Sequence, residues 1–331
     1  MSVTPPIDTL VNVGIPTFGQ PRFLGEAIES VLAQDLTAWR LTISENGPGS
    51  AAVAAAVRPF LSDPRVRYVT TGRNLGPAAN WTRLIRMGRA PYVALLNDDD
   101  LWDPEFLARR VAFLEEHREC AFAFSPSDFV DESGTIVHHF DVDLAEGVQR
   151  RKTFVRSLYM ENMVSIPTIL VRRSAYESVG SGFNASLLFF DYEMWLRLAS
   201  RFDVGFLAGA DARYRVHAAQ TTQHARTQIA EQRSDLLDAA ESFLPGDVTR
   251  LMRRRARYIV FVRIAVDAYA LGERRRSFDA FRRAVRAYPL GPLDPKVGAR
   301  ILRRIQGRGE FRDFWRSGEP EPLDPAQATA R

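Results

Sequence analysis

Three adjacent carboxylates, Asp98, Asp99 and Asp100, stand behind Asn97 at the end of a short apolar run, Tyr92 to Leu96. A run without polar alternation reads as a strand buried on both faces, and the carboxyl ends of such strands are where open α/β sheets bind ligands. Like charges this close are costly unless they share a cation, and hard oxygen ligands suit Mg²⁺ or Mn²⁺. The other reading is an acidic, solvated turn that only caps the next helix; the buried strand in front weighs against it. Further along, Asp191 falls just inside a helical pattern, among Phe189, Phe190, Tyr192 and Trp195. That placement makes it a candidate general base, with Glu193 as rival and simple helix capping as the plainer role. Apolar surroundings would raise its pKa and the helix end would lower it. His217, in RYRVHAAQTT, offers an imidazole acceptable to Mn²⁺, although a lone histidine is as readily structural.

The elements that must position these groups follow from the apolar pattern. Leu10 to Ile15, Trp39 to Ser44, Val66 to Thr70 and Tyr92 to Leu96 read as strands, with helical stretches from Phe23, over Val53 to Phe60 and over Ala78 to Met87 between them. This alternation predicts an α/β fold with a mainly parallel sheet. Asp103-Pro104-Glu105 reads as a helix start with Asp103 as N-cap. Glu119 to Phe129 reads as one strand, with a turn at Asp131-Glu132-Ser133-Gly134 and a return strand over Thr135 to Phe140. Gln149 to Tyr159 and Leu187 to Ser200 read as helices, and Ile169 to Arg172 as a short strand. From residue 226 the pattern is helical, and 317–331, rich in Pro, Glu and Ala, reads as a loose tail.

Composition sets the bounds. Hydrophobic residues at 46% and charged residues at 25% are ordinary for a globular chain. A single cysteine, Cys120, cannot make an internal disulfide, and the N-terminus lacks a basic segment followed by an apolar one, so a cytoplasmic setting is expected. Residues 1–249 carry 24 Lys and Arg against 31 Asp and Glu, whereas 250–331 carry 20 against 9. An acidic first part disfavours nucleic acid as a partner. The basic end fits an acidic partner, or peripheral contact with the inner face of a membrane, as well as it fits a merely solubilising use of arginine. Neither a G-x-G-x-x-G nor a P-loop follows a strand, so a diphosphate would be met by a metal with help from an arginine such as Arg73.

VGIPTFGQPRFLGEAIESVLAQ, SENG, RNLGPAANW, LLNDDDLWDPEFL, FFDYEMWLRLA and YRVHAAQTT occur in that order over about residues 8–225. Together they resemble the family 2 glycosyltransferases of the GT-A fold. The resemblance implies a GT-A type nucleotide-binding α/β sandwich over 1–225, with a nucleotide-sugar half to about 105 and an acceptor half from 106. A helical C-terminal region follows over 226–316. It implies Asp98 on the ribose and Asp99 on the metal, with Asn97 and Asp100 as alternative members of the motif. Pro16, Thr17 and Phe18 would lie against base and ribose, Glu45 at the base edge, Arg73 by the diphosphate, and His217 in the metal shell. An acceptor of an N–H at Glu45 mildly favours UDP or dTDP. The implied activity is inverting, Mg²⁺- or Mn²⁺-dependent transfer from a nucleoside-diphosphate sugar, with Asp191 as base. The acceptor would be a glycan, glycolipid or small molecule, in bacterial cell-surface polysaccharide, glycolipid or natural-product glycan assembly. A sugar-1-phosphate nucleotidyltransferase or a non-catalytic nucleotide-sugar-binding module are the alternatives. The apolar stripe of the C-terminal helices would pack on the catalytic domain, on a second copy as a homodimer, or on a membrane.

Overall fold

The computed structural model describes residues 9–19, 21–217, 226–244 and 246–299, with backbone only over 226–231. The described residues form two compact units. One takes the chain to Arg215 and adds Asp235–Val248; the other holds Val216–Ser234 and the chain from Thr249.

The first unit is built on an eight-stranded sheet. Its apolar runs form β1 (Val11–Thr17), β2 (Trp39–Glu45), β3 (Val66–Thr70) and β4 (Tyr92–Leu95), parallel to one another in the order β3-β2-β1-β4. Helices α1 (Leu24–Leu32), α2 (Ala51–Val57) and α3 (Pro77–Arg86) connect them. On α1, Leu24, Ala27, Ile28 and Val31 are buried, the single stripe that a period of 3.6 places against a sheet. Helix α3 packs so tightly over β1 that a Cβ on Gly14 would lie 2.9 Å from Leu95 and 3.0 Å from Leu84. Any side chain there would have to push both leucines aside. Because β1, β2 and β3 step one way and β4 returns to the other side of β1, the carboxyl ends of β1 and β4 form a topological switch point.

After β4 the chain forms β5 (Leu101–Trp102), α4 (Phe106–Glu116), β6 (Cys120–Phe124), β7 (Ser127–Val130), β8 (Ile136–Phe140) and β9 (Gly147–Gln149). Then come α5 (Arg151–Met160), β10 (Leu170–Arg172), α6 (Arg173–Ser178), α7 (Phe190–Ala199), β11 (Asp203–Phe206) and β12 (Ala212–Arg215). The large sheet continues β4-β10-β6-β11-β9, with β10 and β9 antiparallel to their neighbours. The result is the mixed, mainly parallel sheet expected. A second sheet, β5-β12-β7-β8, stands beside the end of β4 in sequence.

Several boundaries differ from the pattern-based expectation, each for a physical reason. Strand β1 runs through Pro16 to Thr17. Leu96 N–H donates to Gly14 O at 3.0 Å, and after that β4 has ended, so Pro16 faces a side where no N–H is needed. Asp103 is not an N-cap: Phe106 N–H bonds its backbone oxygen at 3.1 Å, and its carboxylate pairs with Arg213 at 2.8 Å. The stretch Glu119 to Phe129 is two strands in two sheets, broken at Ser125-Pro126. There Arg110, fully buried, meets Asp211 at 2.7 and 2.8 Å and Ser125 Oγ at 2.7 Å, and this polar knot fixes the corner.

Helices α8 (Arg226–Glu241), α9 (Arg250–Ala270) and α10 (Arg274–Ala287) follow, in keeping with the expected C-terminal helical region. Thr249 caps α9, its hydroxyl accepting from Met252 N–H at 3.2 Å. Within the second unit α9 and α10 form a hairpin turned at Gly272. It is held by Ser277 Oγ on Ala265 O (2.7 Å) and by Tyr258 meeting Tyr288 edge-on at 6.4 Å. The proposed tail over 317–331 lies outside the described residues, as does the part of RYRVHAAQTT beyond His217.

Candidate active site

The acidic residues form a tight turn directly after β4. Asp100 N–H donates to Asn97 O at 3.3 Å, and Asn97 Nδ2 donates to Asp100 Oδ2 at 2.7 Å. Asn97 and Asp100, the alternative members of the motif, therefore satisfy one another. Asp100 is fully buried, and its other oxygen accepts from Arg215 N–H at 2.9 Å. Burial, and next the Asp99 charge beside it, push the Asp100 carboxyl well above the usual carboxylate range, against the pull of those donors. It braces the turn from inside. Asp98 and Asp99 are half-buried.

Thr17 closes the switch point. Its hydroxyl, at the carboxyl end of β1, donates to Asp98 Oδ2 at 2.5 Å. In register beside Thr17 on β2 lies Glu45, buried, and Asn46 N–H donates to Thr17 O at 2.9 Å. Glu45 Oε2 accepts from Ser50 N–H at 3.2 Å and from the Tyr68 hydroxyl. Burial, with the Glu45 carboxylate next, raises Tyr68 to about 12, so the phenol keeps its proton. Thr71 N–H donates to Glu45 O at 3.0 Å, which anchors the loop carrying the exposed Arg73. Phe18, 59% exposed, stands one residue past Thr17. The structure thus gathers Pro16, Thr17, Phe18, Glu45, the Arg73 loop and Asn97 to Asp100 at one sheet edge.

Sequence reasoning missed the residue that holds the turn in place. Arg215, last in β12, has a buried side chain that reaches Asp99 O (3.0 Å), Glu132 O (2.9 Å) and Glu26 Oε2 (2.6 Å) and lies over the Phe23 ring at 4.3 Å. One guanidinium joins α1, the acidic turn and the β7–β8 turn. The only signal was the arginine two places before His217. His217 itself is half-buried and belongs to the second unit.

Asp191 stands in the first turn of α7, as expected. Burial raises its carboxyl to about 6, opposed by the backbone N–H groups of Tyr192 and of Asp191 itself. Its neighbour Phe190 packs edge-on against Trp81 of α3 at 5.2 Å, which ties this helix start to the nucleotide-side half. The rival Glu193 is paired to Arg197 at 2.8 Å, and Arg197 holds the carbonyls of Val179, Gly180 and Gly182. Glu193 is tied into loop support.

Among the described residues no three His, Cys, Asp or Glu side chains form a ready-made metal cage. Mg²⁺ commonly uses one or two carboxylates and takes its remaining oxygens from substrate phosphates and water. The half-buried pair Asp98 and Asp99 fits that use.

An α/β sandwich of this strand order, with an acidic turn ending its fourth strand, is of the GT-A type. The sequence model of glycosyl transferase family 2 matches residues 12–180, and the chain belongs to that family. It is 25% identical over 201 residues to the uncharacterized glycosyltransferase MJ1057 of Methanocaldococcus jannaschii, covering 59% of this chain and 67% of that one. It is 28% identical over 121 residues to the putative colanic acid biosynthesis glycosyl transferase WcaA of Escherichia coli, 37% of this chain and 43% of that one. The match thus spans less than half of WcaA. Among solved structures, S. aureus TarS 1-349 in complex with UDP-GlcNAc has a similar fold, with a TM-score of 0.65 over 95% of this chain and 93% of that one at 15% identity.

Proposed function

We propose that this chain is an inverting glycosyltransferase that moves a sugar from a nucleoside-diphosphate sugar, UDP or dTDP preferred, to an acceptor hydroxyl. The observation that carries this reading is the Thr17–Asp98 hydrogen bond, which joins the ends of β1 and β4 at the switch point and sets the Asp98-Asp99 pair beside buried Glu45. Asp98 receives the ribose hydroxyls, and Phe18 offers its exposed ring to the base. Glu45, oriented by Tyr68 and Ser50, accepts the ring N–H of uracil or thymine. Arg73 meets the diphosphate. Asp99, with Asp98 beside it, would hold Mg²⁺ or Mn²⁺, which when bound neutralises charge on the departing diphosphate. The similarity to WcaA supports cell-surface polysaccharide assembly as the setting, with a glycan or glycolipid acceptor at the inner face of a membrane.

Asp191 takes the proton of the acceptor hydroxyl as that oxygen attacks the anomeric carbon from the face opposite the leaving group. A single displacement inverts the centre and needs one base only. A carboxyl raised to about 6 is ionised at pH 7.5 and still a better base than a solvated aspartate. His217 is a separate proposal from the family resemblance, tested by whether His217→Ala weakens Mn²⁺ binding. The test of the whole reading compares Asp191→Asn with the natural chain for UDP-sugar binding and for transfer. Binding kept with transfer lost supports it; undiminished transfer removes Asp191 as the base.

A further inference from the structure

Helix α10 has an outer face that the transferase reading does not use. Arg274–Ala287 holds six arginines and one acidic residue, Asp279. Its buried residues are Ala280 and Ala284, on the side that packs against α9. Phe278 and Phe281 are instead 61% and 49% exposed, and with half-buried Val285 they recur at i, i+3 and i+7, which places them on one face. Arg274 and Arg282 flank Phe278 at i−4 and i+4. Just before the helix, Tyr269 (72%) and Leu271 (56%) are exposed at the hairpin turn. Arg274, Arg275, Arg276 and Arg283 line a groove of ≈ 500 Å³ together with Glu273 and Asp279.

Two large aromatic rings turned to water on a helix this basic cost solvation that a solubilising face would avoid. A polyanion in water would use the arginines and leave the rings unsatisfied. An anionic bilayer surface uses both, because the rings enter the boundary between headgroups and acyl chains while the guanidinium groups stay at phosphate depth. No described helix is long and apolar enough to cross a membrane. We infer that the Phe278–Phe281 face of α10 is a docking surface for an anionic phospholipid bilayer, lying in the plane of its headgroups. This holds whether or not the chain transfers sugar.

The test is co-sedimentation of the full chain with phosphatidylcholine vesicles, with and without phosphatidylglycerol, at low and high salt. Three proteins are compared: the natural sequence, Phe278→Ser with Phe281→Ser, and Arg274→Gln with Arg275→Gln and Arg282→Gln. Circular dichroism checks that the variants keep their helices; all five positions are exposed. The natural chain is expected on the anionic vesicles only, and less so at high salt. The arginine variant should lose on the order of a hundredfold in partitioning at low salt, and the phenylalanine variant about tenfold or more at unchanged charge. Equal partitioning onto neutral vesicles, none onto anionic ones, or full partitioning by the phenylalanine variant would each overturn the inference. So would duplex DNA displacing the vesicles, or a dimer in sedimentation velocity that the phenylalanine variant dissociates.

Discussion

Arg215 holds Asp99 by its backbone: Nε lies 3.0 Å from the Asp99 carbonyl oxygen, while Arg215's own N–H donates to the Asp100 carboxylate at 2.9 Å. The cation fixes the position of the acidic turn through its carbonyl and its buried member. Half-buried Asp99 therefore sits on a turn whose backbone is held from within, the kind of support a preorganised site needs.

Arg215→Ala should therefore lower stability by about 2–4 kcal/mol, since the carbonyls of Asp99 and Glu132 lose their donor and a cavity opens where the buried guanidinium packed beside Phe23. Arg215→Lys should recover only part, because one ammonium cannot span Asp99, Glu132 and Glu26 at once. Urea denaturation measures both, and UDP-sugar affinity should fall with them.

As the proposed base, Asp191 should tie activity to pH and stability. With its carboxyl raised to about 6 by burial, kcat/KM should fall as pH drops through 6 while donor binding changes little. The folded state binds this proton more tightly than the unfolded chain does. Its contribution therefore favours folding below about pH 4 and is progressively lost as pH rises towards 6. At pH 7.5, Asp191→Asn should be more stable than the natural chain, by up to about 3 kcal/mol, and inactive. A thermal melt alongside a transfer assay checks the pair.

Asp211 behaves oppositely. Burial raises it, but Arg110, its bonds to Arg110 and Ser125, and Arg109 outweigh this and hold it below the usual range. Its stabilisation is complete above the ordinary carboxylate pKa and is lost as pH falls through the lowered folded value. Asp211→Ala leaves Arg110 buried without its counter-charge and should cost about 3–5 kcal/mol. Urea midpoints followed from pH 7 downwards for both proteins would show it.

What could be read from sequence and what could not divides along physical lines. Strands buried on both faces, such as Tyr92–Leu95, announce themselves as unbroken apolar runs, and the helices between them by their period. The half of the site that lies at strand ends came with them. Short strands such as β9 and β12 carry mixed polar sequence, because one ladder and a few contacts decide them rather than local preference. Arg215 was out of reach for a similar reason. Its side-chain hydrogen-bond partners lie from 83 to 189 residues away along the chain, and nothing local marks a buried arginine. Glu193 and Asp191 look alike in sequence, and what the sequence did not show is that Arg197, one turn on, pairs with Glu193.

The central claim is that a divalent cation on Asp99 joins this turn to the diphosphate of a nucleotide sugar. Calorimetric titration of a UDP-sugar into the natural chain and into Asp99→Asn, each with and without Mn²⁺, tests it most directly. Affinity in the natural chain should rise with Mn²⁺, and in the variant that rise should vanish while metal-free binding persists. An Asp99→Asn protein whose affinity rises with Mn²⁺ as much as the natural chain's would contradict it.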